Sequence, residues 1–283
     1  MTAANGLPPN RSAHAALQRC WTNVGMAFAL LARPTRFHPP KLWPASLRQF
    51  AVAAAVMFVG WLICMVFFDG PVAQAVMRAP RWVIWPFNQI TDFGKSGWFL
   101  WPLGLLFLAL AALPPPLTKI SQAVLAAVMV RVGFLFLAIG VPGLFVSIVK
   151  RMIGRARPLA TGHIDPFAFA PFIWRADYAS LPSGHATTAF SALVAFGSLW
   201  PRGRTVLLLY ALAISVSRVM VMAHYSSDVL AGAVVGTVVA LMVRRYFALR
   251  RLGFSAGPGG ELHQFTGPSI RRIKAVAREQ LAS

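Results

Sequence analysis

An all-α polytopic membrane protein, with about six transmembrane helices in a bundle, is the fold class this sequence predicts, and three observations lead there. Of its 283 residues, 57% are hydrophobic and only 12% charged, against about 45–50% apolar and about 25% charged in a soluble domain. The apolar residues gather into uncharged runs long enough to cross a bilayer. The remaining charge is lopsided, with 27 Lys and Arg against 7 Asp and Glu for a net +20. Beside so much apolar sequence, that excess fits anionic headgroups and basic inner loops rather than nucleic acid. A water-soluble globule, a disordered chain and a collagen-like repeat are excluded. So is a disulfide scaffold, since the two Cys fall in a basic tail (Cys20) and an apolar run (Cys64).

The first span is Phe50–Phe68, ended by the turn sequence Asp69-Gly70-Pro71. Gly97–Leu113 is the second, stopped by three prolines, and Val132–Val149 the third, running straight into Lys150. His185–Trp200 follows Pro182-Ser183-Gly184, and Val206–Ala223 is interrupted only by Arg218. Val229–Val243 is short at 15 residues but extendable through Tyr246 and Phe247. Arg131 is expected at the inner interface, its stem along the bilayer and its head in water. With the N-terminus inside, inner segments carry 17 Lys and Arg and outer loops 9, with Arg131 the remaining one. Both termini are therefore expected in the cytoplasm. The division is 1–48 as a basic N-terminal tail, 49–247 as the membrane domain and 248–283 as a solvated basic C-terminal tail. Val24–Leu31 is too short for a signal peptide core and is expected, if anything, along the membrane surface.

In a chain this apolar, polar residues at span ends carry the information, and three clusters share the outer side. Lys150 and Arg157, seven residues apart before Pro158, fall on one face if the third helix continues past the interface, and two cations there make an anion site. Pro182-Ser183-Gly184-His185 opens the fourth span, where helix N–H groups favour anions and Gly184 lets a ligand near the backbone. Ser217-Arg218 precedes His224 and Asp228, an i, i+4 pair in which the carboxylate can hold one imidazole nitrogen protonated and free the other to attack. Three cations, a helix N-terminus, two His and one carboxylate suit phosphoryl transfer without metal. A cation cage would need two or three hard ligands, and only one acid is present.

These residues resemble the type-2 phosphatidic acid phosphatases of the acid phosphatase and vanadium haloperoxidase superfamily. Lys150/Arg157-Pro158, Pro182–His185 and Ser217-Arg218/His224/Asp228 match that three-part motif at every defined position, and the likeness covers roughly residues 90–243. The resemblance implies that His224 is the nucleophile forming a phosphohistidine, Asp228 its orienter and His185 the general acid. It implies that Lys150, Arg157, Ser183, Gly184 and Arg218 cradle the phosphate, with no cofactor, and that the site faces outward from a bacterial inner membrane. The expected partners are the lipid bilayer and a lipid phosphate: phosphatidic acid, phosphatidylglycerophosphate, undecaprenyl diphosphate or a lipid A phosphate. A lipid phosphotransferase using the same intermediate and a non-catalytic anion-binding membrane protein are the alternatives. A haloperoxidase is disfavoured by six spans. The loop 159–181, with Phe167, Phe169, Phe172, Trp174 and Tyr178, is expected at the membrane surface.

Overall fold

The computed structural model describes residues 9–35, 45–114 and 118–282. It is helical almost throughout, with α1 at Pro9–Ala32, α2 at Leu47–Ile63, α3 at Asp69–Met77, α4 at Arg81–Ile90 and α5 at Gly97–Ala112. Then follow α6 at Lys119–Ile153, α7 at Gly184–Leu199, α8 at Arg204–Met220, α9 at Ser226–Leu249 and α10 at Ile270–Ala282. Before α10, β1 (Phe254–Ala256) and β2 (Leu262–Gln264) pair antiparallel, Ser255 opposite His263.

Five stretches among the described residues are long and apolar enough to cross a membrane: 47–77, 81–112, 119–153, 201–220 and 226–249. The expected fourth span is α7, only 16 residues long and packed among α6, α8 and α9. The first span does not end at Asp69. One π-helical turn, Cys64–Phe68, carries it into α3, where Pro71 sits in the first turn and needs no amide partner. The third span starts 13 residues earlier than expected, because Thr118 caps α6 by accepting from Ser121 N–H at 3.1 Å. At 35 residues α6 is about 52 Å long.

Small residues place α7 against α9. A Cβ on Gly232 would lie 2.4 Å from Ser183 O, and one on Gly236 would lie 2.4 Å from Thr187 O. Thr187 Oγ1 donates to Gly232 O at 3.1 Å across the interface. Close backbone approach between such faces is how helices associate where lipid removes the hydrophobic drive. The segment before α7 is thereby locked beside the start of α9, and Ser183 N–H donates to Asp228 O at 2.9 Å.

The tails lie at the other end of the bundle. Asn23 Nδ2 and Arg19 Nε donate to Ala111 O and Ala112 O at the finish of α5, while Tyr246 in α9 and Arg250 just after it donate to Leu31 O. The expectation of a solvated C-terminal extension is corrected here. Phe254 is 1% exposed, its ring 4.8 Å from Phe134 in a core shared with Phe247. Glu279 of α10 accepts from Ser121 Oγ at 2.6 Å. Arg131 donates to Phe265 O at 2.9 Å rather than resting on water alone. An aromatic residue buried by contacts from distant sequence gives no local signal in a Gly-rich basic tail.

Phe254→Ala should lower stability by about 3 kcal/mol, the usual cost of emptying a Phe site, read as a drop in unfolding temperature in detergent. A tail lying in water would give no change.

Candidate active site

The site forms where α6 and α8 finish and α7 and α9 begin. Gly154 ends α6 in the left-handed conformation (φ +63°), and a Cβ there would sit 1.8 Å from Ala170 O, so glycine is needed twice over. α6 therefore ends ahead of Pro158, and Lys150 and Arg157 do not share a helix face. Lys150 lies in the last turn of α6, whereas Arg157 follows in an extended segment held by Arg157 N–H to Asp177 O at 2.7 Å. The chain returns through 154–183, with Ala156 N–H on Ala168 O and Ser180 N–H on Arg155 O. Phe172 and Trp174 on this loop are 68% and 81% exposed, as a membrane-surface loop requires.

The three clusters converge. His185, Arg218 and His224 are electrostatic neighbours, and Arg157 couples in turn to Arg218 and Lys150. Arg218 is anchored by Nη1 donating to Thr91 Oγ1 at 2.6 Å, and Ser217 Oγ donates to the same oxygen at 3.1 Å. Thr91 opens the 3₁₀ turn Thr91–Gly94 between α4 and α5. Gly94 of that turn backs His185 so closely that a Cβ would lie 2.8 Å from the ring.

Four buried polar atoms at this place have no hydrogen-bond partner among the described residues: Arg157 Nε, Ser183 Oγ, His185 Nε2 and Arg218 Nε. Such atoms are costly unless a ligand meets them. Ser183 stands at the N-cap of α7 but makes no capping bond with its hydroxyl. The first amides of α7 point out of the helix unpaired, and a Cβ on Gly184 would touch nothing within 4 Å. Fork-shaped donors, a hydroxyl and helix amides around one open space suit a tetrahedral oxyanion.

His224 and Asp228 do not share a helix. His224 lies in the turn between α8 and α9, and Asp228 in the first turn of α9, where its Oδ2 accepts from Tyr225 N–H at 2.9 Å. His224 Nδ1 is 3.8 Å from Asp228 Oδ2, too far for a hydrogen bond. Ser180 fills the gap, donating to Asp228 Oδ2 at 2.6 Å and standing 3.4 Å from His224 Nδ1. Ser180 was not singled out from the sequence, although its place two residues before Pro182 is a usable signal. Arg155, Asp69, Ser227 and Thr91 were also missed. Asp69 is one of only 7 acids in the chain and ends an apolar run, which marks it better as a buried partner than as a turn. Among the described residues no three His, Cys, Asp or Glu side chains assemble as a metal cage.

An all-helical bundle with an oxyanion cradle and a paired imidazole at one end defines an integral-membrane phosphatase. The match to known proteins narrows the class. The model of the PAP2 superfamily matches residues 131–252, a stretch that holds all three clusters. A lipid A 1-phosphatase of Rhizobium johnstonii is 34% identical over 252 residues, covering 88% of this chain and 95% of its own. Another, from Rhizobium etli, is 35% identical over 224 residues, covering 78% and 92%. Among solved structures, a PAP2 type phosphatidylglycerolphosphate phosphatase from Bacillus subtilis overlays 67% of this chain and 92% of its own, at 20% identity and a TM-score of 0.46. The chain belongs to the PAP2 superfamily, and it is a metal-independent membrane lipid phosphatase.

Burial holds the His224 imidazole below its ordinary value of 6.5, with Arg218 and Arg157 pushing the same way and Asp228 pulling back. The neutral ring therefore persists to lower pH than a free imidazole. In the pH profile of kcat/KM, which reports the free enzyme, the acid limb assigned to His224 should fall below pH 6.5. A limb at or above that value would mean that the carboxylate outweighs burial.

Proposed function

We propose that this lipid phosphatase removes the 1-phosphate of lipid A through a phosphohistidine on His224, at the periplasmic face of a bacterial inner membrane. The observation that carries the chemistry is the set of partnerless buried atoms on Arg157, Ser183, His185 and Arg218, gathered beside His224. The substrate rests on the two Rhizobium relatives, whose similarity runs over most of both chains.

In this reading Lys150, Arg157, Arg218, the Ser183 hydroxyl and the amide of Gly184 hold the phosphate oxygens. The Ser180 hydroxyl donates its hydrogen bond to Asp228, so its oxygen accepts from His224 Nδ1–H and the lone pair stays on Nε2. That nitrogen attacks phosphorus in line as the bond to the sugar oxygen breaks. His185 protonates the departing oxygen, and the dephosphorylated lipid leaves. Water then attacks the phosphohistidine, passing a proton to His185, and inorganic phosphate is released with His224 restored. The cations stabilise charge that grows on the phosphoryl oxygens in both steps.

Purified protein in mixed micelles should release phosphate from lipid A carrying a 1-phosphate well ahead of phosphatidic acid, phosphatidylglycerophosphate or undecaprenyl diphosphate. Equal rates on the glycerolipids would remove the substrate assignment. His224→Ala should lose activity by at least about 1,000-fold, the scale of a lost nucleophile, and should fail to trap labelled phosphate in an acid-labile, base-stable form.

Sidedness is supported by the basic tails packing at the end of the bundle opposite the site. In a chain freed of Cys20 and Cys64, cysteine at exposed His163 should react with an impermeant thiol reagent applied from the periplasm. Cysteine at exposed His263 should react only after the membrane is opened. The reverse pattern would turn the site toward the cytoplasm.

A further inference from the structure

Arg155 is an arginine without contact to water, 0% exposed, and it lies outside the motif that the resemblance supplied. Its Nη1 donates to Asp228 Oδ1 at 2.6 Å and to Ser227 Oγ at 2.7 Å. Its Nη2 donates to Asp69 Oδ2 at 2.8 Å and to Pro166 O at 2.8 Å, and Nε donates to Pro166 O at 3.0 Å. A guanidinium has five N–H groups, and each has an acceptor here, so nothing remains for a phosphate. The plane is stacked on Tyr225, 4.6 Å from the ring centroid. Asp69 is saturated in turn, accepting from Ser227 N–H at 2.9 Å and from the Ser227 hydroxyl as well as from Arg155.

The consequence falls on Asp228. Ser180 and the Tyr225 amide hold one of its oxygens, the one nearest His224. Among the described residues Arg155 is the sole partner of the other, and with both oxygens held the carboxylate cannot turn about its stem. We propose that Arg155 is a positioning residue for the Asp228–Ser180–His224 chain, aimed by Asp69 across from the α2–α3 junction. The proposal rests on His224 being the nucleophile and adds the means by which its orienter is fixed. Groups that face the cluster are Asp69 from α3, Ser227 and Asp228 from α9, Tyr225 and His224 from the turn before α9, and the Pro166 carbonyl from the loop.

Three variants test this, with phosphate release from a lipid phosphate as the assay and intact membrane-inserted protein as the reference. Arg155→Lys keeps the charge, but one ammonium cannot reproduce the planar fork between two carboxylates. The pair Arg155→Met with Asp69→Asn removes one charge of each sign and leaves the phosphate cradle untouched. Each should lower kcat about 100-fold, the effect of a misaimed catalytic group. KM should stay within about threefold, since no phosphate ligand is lost. Labelling of His224 by substrate phosphate should slow in parallel. Asp69→Asn alone should lower kcat less than either, because Asp228 keeps its partner.

An Arg155 variant that is folded with near-normal kcat would overturn the proposal, leaving Arg155 as a staple between segments. Failure of all three to accumulate folded in the membrane would overturn it equally, since the cluster would then serve assembly alone. His224→Ala separates the two levels of the argument. If that variant is active the nucleophile assignment fails. If it is inactive while the Arg155 variants are normal, only the positioning role fails.

Discussion

A cation sealed between two carboxylates sets the conditions for everything around it. Taking one ion out of water costs several kcal/mol even after relaxation, and a buried pair holds only when its hydrogen bonds are complete. Arg155 meets that requirement through Asp69, Asp228, Ser227 and the Pro166 carbonyl. These partners come from the first membrane segment, the last one and the long loop, so the cluster can exist only when all three are in place. Removing Arg155 would leave two buried carboxylates without their counter-charge, a loss of about 3–5 kcal/mol. The site end of this bundle is therefore tied by charge, whereas the opposite end is tied by Phe134, Phe247 and Phe254.

The same residue type serves opposite ends within a few ångströms. Arg155 has every donor occupied by protein, whereas among the described residues Arg157 and Arg218 each keep a buried Nε without a partner. What separates Arg155 from Arg157 is the set of partners each meets: Asp69, Asp228, Ser227 and the Pro166 carbonyl close around the first, and the second is held through its own amide on Asp177 O.

Close packing of α7 on α9 complements the charge cluster. Gly232 and Gly236 let two backbones meet where any side chain would collide, which brings Ser183 beside Asp228. Among the described residues, α7 is short, rich in Ala, Ser and Thr, and enclosed by its neighbours, while α2 has no buried residue at all. The bundle thus keeps a firm inner group of α6 to α9 around the chemistry. The more loosely held α2 reaches that group through Trp61, which donates to Ser227 O at 3.2 Å, and through Asp69.

The sequence alone determined the class of fold and singled out the candidate site residues. With only 7 acids and long uncharged runs, each polar residue at a span end is expensive and therefore informative. Lys150, Arg157, Ser183, Gly184, His185, Arg218, His224 and Asp228 could all be named from type and spacing, and the structure brings them to one end of the bundle. How they are held was decided by tertiary structure. Local spacing suggested one helix face for Lys150 and Arg157 and another for His224 and Asp228, and neither face exists. The left-handed turn at Gly154 and the turn between α8 and α9 arrange those pairs instead. Asp69, Arg155 and Asp228 are separated by 86 and 73 residues along the chain. No periodicity relates them, because what pairs them is the need to neutralise charge in a medium without water. Phe254 shows the same limit at the other end, since an aromatic in a basic tail becomes core only when α6 and α9 supply its walls.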